Sequence, residues 1–328
     1  MLKKIVCSQI IAGVVIGIVI TSSNASAMIP SKEVTTKSTD GWFYLPAFPN
    51  YAPRGLPDFD QRQDHWMSET GIWFFLRGIW DFCAPTSLAD ILWWFDSKHE
   101  NPQGVPGDGN DDYPLVRDYH APGTPTPGPF TDDHNFNNVN DPITSWNLGR
   151  GPKEFIENVA WYCNTNLCRF RIIPGFSGTY PQSLEHGAKQ WIKDAGLQNR
   201  YTVEALWNPN FTTICDHLLN NDGVIIDLLF YNPNAILIHK YVGHYVAVAG
   251  INPEGYIAFS DPIQNKMNPV PTPADHNDAT VVSYDIYAVN LTSPAPKIAS
   301  WYVEDFMQIG PVHFDGLAKF ALVISETS

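Results

Sequence analysis

A histidine and an aspartate stand out in one apolar stretch, Gly243-His-Tyr-Val-Ala-Val-Ala-Gly-Ile-Asn-Pro-Glu-Gly-Tyr-Ile-Ala-Phe-Ser-Asp-Pro262. The stretch predicts a β-hairpin: strand 243–251, a turn at Asn252-Pro253-Glu254-Gly255, and strand 256–261. With Ile251 opposite Tyr256, Val246 faces Asp261, and His244 lies two places along on the same face. Such a diagonal pair is about 7–8 Å apart at the backbone, within reach of a carboxylate–imidazole hydrogen bond. A histidine oriented by an aspartate is half of a nucleophilic triad and asks for a third member.

The candidate third member is Cys83. Residues 80–96 carry the strongest helical pattern in the chain, with Ala84, Leu88, Ile91, Leu92 and Phe95 on one apolar face. Pro85 is tolerated only in a first turn, so the helix is expected to begin at 82–84 with Cys83 at its N-terminus. A thiol there feels the positive end of the helix dipole, which favours the thiolate. The competing structural readings are a small buried hydrophobe and a disulfide with Cys215. Five cysteines are present: Cys7, Cys83, Cys163, Cys168 and Cys215. Cys163 and Cys168 are close enough in sequence to pair across a turn.

Other chemistry is less well supplied. Asp108, Asn110 and Asp112 place oxygen ligands at alternate positions, as a calcium loop does, though without the distal Glu of an EF-hand. A structural calcium there competes with a plain polar loop, and no other cofactor is required. Asp132-Asp133-His134 is a weaker metal candidate. His239 and His244, five apart, point to opposite faces of a continuous strand and make a poor metal pair. No Gly-x-Ser-x-Gly elbow, His-Glu-x-x-His or paired Cys-x-x-Cys occurs.

The elements that must hold these residues alternate. Helices are predicted at 153–163, 181–195 and 210–220, and strands at 200–206 and 224–230 with Asn221-Asp222-Gly223 before the latter. β-rich segments near 281–291, 300–308 and 318–325 follow. Two stretches lack any period: an arm at 28–70, and residues 97–152, rich in Pro, Gly, Asn and Asp.

The run from helix 210–220 through Asn-Asp-Gly and strand 224–230 to Gly243-His244-Tyr-Val-Ala-Val-Ala-Gly250 and Phe-Ser-Asp261-Pro262 resembles the bacteriocin-processing (double-glycine) peptidase-like family. Cys83-Ala-Pro-Thr with Leu92-Trp-Trp-Phe-Asp96 is similar to the nucleophile helix of the streptococcal immunoglobulin-degrading cysteine peptidase. The resemblance implies an α+β, papain-like fold, with a nucleophile helix packed on an antiparallel sheet. It implies Cys83 as nucleophile, His244 as base and then acid, and Asp261 as the group that fixes the imidazole. The oxyanion would take the Cys83 N–H and one side-chain donor. Where the family carries Gln, about six residues before the Cys, this chain has Arg77. Gln61, Gln63, Trp73 and Trp80 are the other candidates, and the role stays unassigned.

Composition bounds the rest. Lys3 and Lys4, an apolar run of about a dozen residues (Ile10 to Thr21) and Ala25-Ser26-Ala27 read as a signal peptide over 1–27, with cleavage before Met28. The expectation is a secreted, single papain-like domain over 28–328, with no membrane association after cleavage. Net charge is −14, becoming −16 without the two signal lysines, which argues against nucleic acid and anionic membrane as partners. A protein or peptide substrate is the expected partner. Two rivals remain: an acyl transferase or amidase of transglutaminase type with the same triad, and a non-catalytic secreted module.

Overall fold

The computed structural model describes residues 41–48, 52, 54–61, 80–99, 112–113, 115–116, 155–167, 178–233, 243–252, 254–264, 282–309 and 312–327. The expected signal peptide and most of 97–152 lie outside them. All described residues belong to one unit, Thr39–Ser328.

Eight strands are present among the described residues: β1 (Phe43–Tyr44), β2 (Tyr201–Trp207), β3 (Gly223–Tyr231), β4 (Gly243–Asn252), β5 (Tyr256–Ser260), β6 (Asp285–Asn290), β7 (Tyr302–Ile309) and β8 (Val312–Glu326). Four helices accompany them: α1 (Cys83–Lys98), α2 (Phe155–Tyr162), α3 (Pro181–Asp194) and α4 (Phe211–Leu219). The local elements fall where hydrophobic periodicity and turn chemistry put them. Their assembly does not. Strands β4, β3, β8, β7, β6 and β5 pair in that order, and β5 returns to β4, so six antiparallel strands close into a barrel. The expectation of an α+β, papain-like fold is therefore corrected: the described residues are mostly β, with four helices beside a closed barrel.

Closure follows from one long strand and three irregularities. β8 pairs with β3 along one edge, and with β7 and then β2 along the other. Register shifts interrupt β3–β8 at Asp227/Leu228, β4–β5 at Val248/Gly250 and β7–β8 at Val303/Met307. An extra residue bends a strand and tightens its twist, which lets a sheet this small meet itself.

Helix α1 is buried from Cys83 to Ser97, on all sides rather than along one face. Trp93, Trp94 and Phe95 are fully buried, and Trp94 donates its indole N–H to Pro46 O at 2.9 Å. Asp96 accepts the N–H groups of Leu115 and Val116. A helix covered all round needs such partners for its polar side chains.

The described part of the arm is built into this core. β1 pairs with β4 through Phe43↔Ile251 and Tyr44↔Gly250, and Leu56 and Phe59 are fully buried. A Cβ at Gly250 would collide with the Tyr44 ring, so only glycine lets the arm lie this close.

A buried polar knot ties arm, helix and strand together. Ser260 Oγ, at the end of β5, donates toward Asp58 Oδ1 (2.9 Å) and Asp90 Oδ2 (3.2 Å). Asp90 on α1 also accepts the Phe59 N–H, and Asp58 accepts the Ser283 N–H. One hydroxyl proton serves two carboxyls, so the knot relies on a carboxyl that keeps its own proton. Asp58 is that group. Burial, and behind it the charges of Asp285 and Asp261, hold its pKa well above the carboxylate range, against the hydrogen bonds from Ser260 and Ser283. A carboxyl with a raised folded-state pKa contributes stability that is complete below the unfolded value, near 4. That stability is lost as pH rises through the folded value. Asp58→Asn should therefore flatten the alkaline decline. The Tm of the wild type should fall relative to that of the variant as pH rises above about 4, and parallel Tm–pH curves would show that Asp58 is ionised in the folded protein.

Candidate active site

Cys83 is the first residue of α1 and is 8% exposed. Phe82, at the N-cap, supplies no side-chain cap. Pro85 has no N–H, and the Thr86 N–H goes to Phe82 O at 3.0 Å. The helix itself thus leaves the N–H groups of Cys83 and Ala84 without intrahelical acceptors.

His244 is the second residue of β4. Its Nε2 lies 2.6 Å from Asp261 Oδ1, and the ring is near enough to Cys83 for the two groups to feel each other's charge. With Nε2 taken by Asp261, the nitrogen left for the thiol is Nδ1. The ring stands beside Phe306 in the barrel interior, with centroids 6.0 Å apart. The structure thus brings Cys83, His244 and Asp261 together, with the His244–Asp261 pair hydrogen-bonded.

The hairpin reaches this arrangement by two departures that cancel. β4 runs on to Asn252, opposite Tyr256, so the turn holds three residues rather than four. The bulge between Val248 and Gly250 then removes the offset, giving Ala247↔Ser260. Carried one step further, that register sets Val246 opposite Asp261, the alignment expected from sequence.

Asp261 is held on every side. Oδ1 also accepts the N–H groups of Ile263 (3.0 Å) and Gln264 (3.1 Å), and Oδ2 accepts Gln264 Nε2 (3.2 Å). The same amide donates to Phe306 O, which fixes the Gln264 side chain in turn. Asp261 therefore forms the turn at the strand end and the partner of the imidazole at once. Burial alone would raise its pKa. The His244 cation and the donors at Ile263 and Gln264 outweigh burial and hold it below the usual carboxylate value. Burial would likewise lower the His244 pKa, but Asp261 and then Cys83 reverse this and push it up to about 10.

The helix is set against the strand by Ser87 Oγ, which donates to Tyr245 O at 3.2 Å. Cys83, Ser87 and Asp90 lie at i, i+4 and i+7 and form a polar seam along α1, each facing a residue of β4 or β5. That spacing was visible in the sequence, and it is the signal by which Ser87 and Asp90 could have been found.

Among the candidate second oxyanion donors, Gln63, Trp73 and Arg77 lie outside the described residues, and Trp80 is half-buried. Gln61 is buried, and its N–H donates to Pro262 O at 2.8 Å, one residue from Asp261. Of the proposed calcium ligands, Asp108 and Asn110 lie outside the described residues. Asp112 is exposed, with its N–H on His99 O. Among the described residues, no group of three or more His, Cys, Asp and Glu side chains is arranged to hold a metal. Cys83 and Cys215 are free thiols, not partners in a disulfide, and Cys168 lies outside the described residues.

No protein-family model matches the chain, and no curated protein sequence matches it. The resemblance to the double-glycine peptidase-like family thus remains one of short motifs. Among solved structures the chain is similar to the active wild-type interpain A cysteine protease of Prevotella intermedia. The identity is 13% and the TM-score 0.36, over 86% of this chain and 98% of that one.

The buried pair sets the pH response of the site. A histidine with a raised folded-state pKa contributes stability that is complete below about 6.5 and is lost as pH rises through about 10. Asp261→Ala should remove that contribution, leave His244 buried without its counter-charge, and cost about 3–5 kcal/mol. The His244 ring protons, followed by NMR, should titrate near 10 in the wild type. In the variant they should titrate below the ordinary histidine value. A ring that titrates alike in both would show that Asp261 does not set its charge.

Proposed function

We propose that this chain is an exported cysteine peptidase that hydrolyses peptide bonds through Cys83, His244 and Asp261. The observation that carries the reading is the buried grouping of Cys83, His244 and Asp261, with the sulfur at the start of α1. The leader-like residues 1–27 support export.

The proposed cycle begins at the sulfur. Cys83 Sγ, paired with the His244 imidazolium, attacks the scissile carbonyl carbon and forms an S–C bond. The carbonyl electrons move to oxygen, where the Cys83 N–H at the helix N-terminus stabilises the oxyanion. His244 passes its proton to the leaving nitrogen as the C–N bond breaks. Once sulfur is acylated, the thiolate no longer raises the His244 pKa, so the ring releases that proton more readily. The neutral ring then takes a proton from water, which attacks the thioester and frees the acid and the thiolate. Asp261 keeps its charge throughout and stabilises the imidazolium.

Iodoacetamide near neutral pH should alkylate Cys83 in preference to Cys215, whose thiol burial pushes up to about 11. Alkylation should abolish cleavage of a mixed peptide substrate, and Cys83→Ala should reduce it by about 10⁴-fold or more. An unreactive Cys83 would favour the non-catalytic module. Amine incorporation into a glutamine substrate without any peptide cleavage would favour the acyl transferase.

A further inference from the structure

One buried carboxylate beside this site has no part in the cycle. Asp227 lies on β3, 6% exposed, directly opposite Tyr245 on β4. Opposed residues share a face of the sheet, and so does Gly243, two places from Tyr245. The same face of β3 carries Gly223, where a Cβ would collide with Ile91 of α1, so this is the face against which the helix that begins at Cys83 packs. Gly243 is exposed, and a Cβ placed on it would collide with Asp227 Oδ1. The carboxylate therefore sits beneath a position of β4 that has no side chain to cover it.

Asp227 makes no hydrogen bond or ion pair with its carboxylate among the described residues. The charges that reach it are Lys319 on β8 and His244 on β4, and its other neighbour on this face is the Tyr245 phenol. Asp58, Asp90, Asp96 and Asp261, by contrast, each have at least two hydrogen-bond partners. A buried carboxylate without donors is costly unless something else supplies them.

We infer that Asp227 forms the floor of a subsite, entered over Gly243, that takes a lysine or arginine side chain of the substrate. A cationic side chain would bring the donors and the counter-charge that the fold withholds. The chain's net charge of −14 would draw basic peptides toward it. An acidic side chain would be repelled, and a neutral isostere would leave the carboxylate unpaired. This inference rests on the peptidase reading.

The test is a set of fluorogenic peptides identical except for lysine or glutamine at one scanned position, with the ratio of kcat/KM values as the readout. The ratio cancels the ionisations of Cys83 and His244, which both peptides share. At one position lysine should win by about tenfold or more at pH 8. Burial pushes Asp227 up to about 6, against the pull of Lys319 and His244. Because kcat/KM reports the free enzyme, the ratio should fall toward one at pH 4.5, a measurement that needs no variant. Asp227→Asn should give a flat ratio at both pH values. A lysine preference at no position, or one that survives acid or Asp227→Asn, overturns the subsite while leaving the peptidase reading in place. Stoichiometric alkylation of Cys83 in a preparation that cuts none of the peptides overturns both.

Discussion

Two opposite charges lie 2.6 Å apart where water scarcely reaches: the His244 side chain is 6% exposed and that of Asp261 is fully buried. Removing both from water costs several kcal/mol per ion, and attraction offsets this only when geometry is held and the remaining lone pairs are filled. The structure around the pair meets that requirement group by group. Two backbone N–H groups and the Gln264 amide occupy the other acceptor positions of Asp261, and Gln264 is itself pinned to Phe306 O. The barrel brings these groups together, because Phe306 belongs to β7 and His244 to β4, on opposite arcs of the six-strand ring.

Cys83 depends on a second, weaker set of ties. Cys83 has to meet the histidine from a different element, so α1 must be fixed in translation along β4 as well as packed on it. Ser87 fixes one point through Tyr245 O, and Asp90 fixes another through Ser260, the residue before Asp261. The contact is close because α1 meets glycine: a Cβ at Gly223 would collide with Ile91. Apolar packing alone would let the helix slide by a fraction of a turn. Directional hydrogen bonds at i+4 and i+7 from the sulfur do not, and a site of this kind needs its groups held to about half an ångström.

The same distinction separates what the sequence discloses from what it does not. Helix α3 was expected at 181–195 and spans Pro181–Asp194. Strand β3 was expected at 224–230 and spans Gly223–Tyr231. These elements are set by neighbours within a few residues, where periodicity and turn chemistry act. The expected His244–Asp261 alignment was reached through an incorrect turn length, and the Val248/Gly250 bulge supplied the compensation. A bulge leaves almost no local mark, because it is chosen by the packing on both sides. Barrel closure is hidden for the same reason: β5–β6, β6–β7 and β7–β8 are pairings of registers, and alternation alone cannot say whether the last strand finds the first. The arm at 28–70 shows no period in sequence, because β1 is two residues long and the burial of the arm's described part rests on Gly250 and Ser260, far along the chain.

Three buried acids show how the region around His244 and Asp261 sorts its charges. Burial is the first cause acting on each, and in each it favours the neutral form. The number of hydrogen-bond donors does not by itself order them. Asp58 has two hydrogen-bond partners and is still held neutral well above the carboxylate range, whereas Asp227 has none among the described residues and is raised only to about 6. Burial dominates both, and their neighbouring charges differ in sign. Asp58 faces Asp285 and Asp261, so each ionisation nearby opposes its own. Asp227 faces Lys319 and His244, which partly replace the water it has lost. Asp261 has both advantages, a cation at 2.6 Å and three protein donors, and is the one carboxylate of the three that ends below its ordinary value. The fold thus keeps one permanent negative charge against the imidazole and neutralises the acid behind it. A third acid remains whose charge changes near pH 6, the one for which the described residues supply no donor.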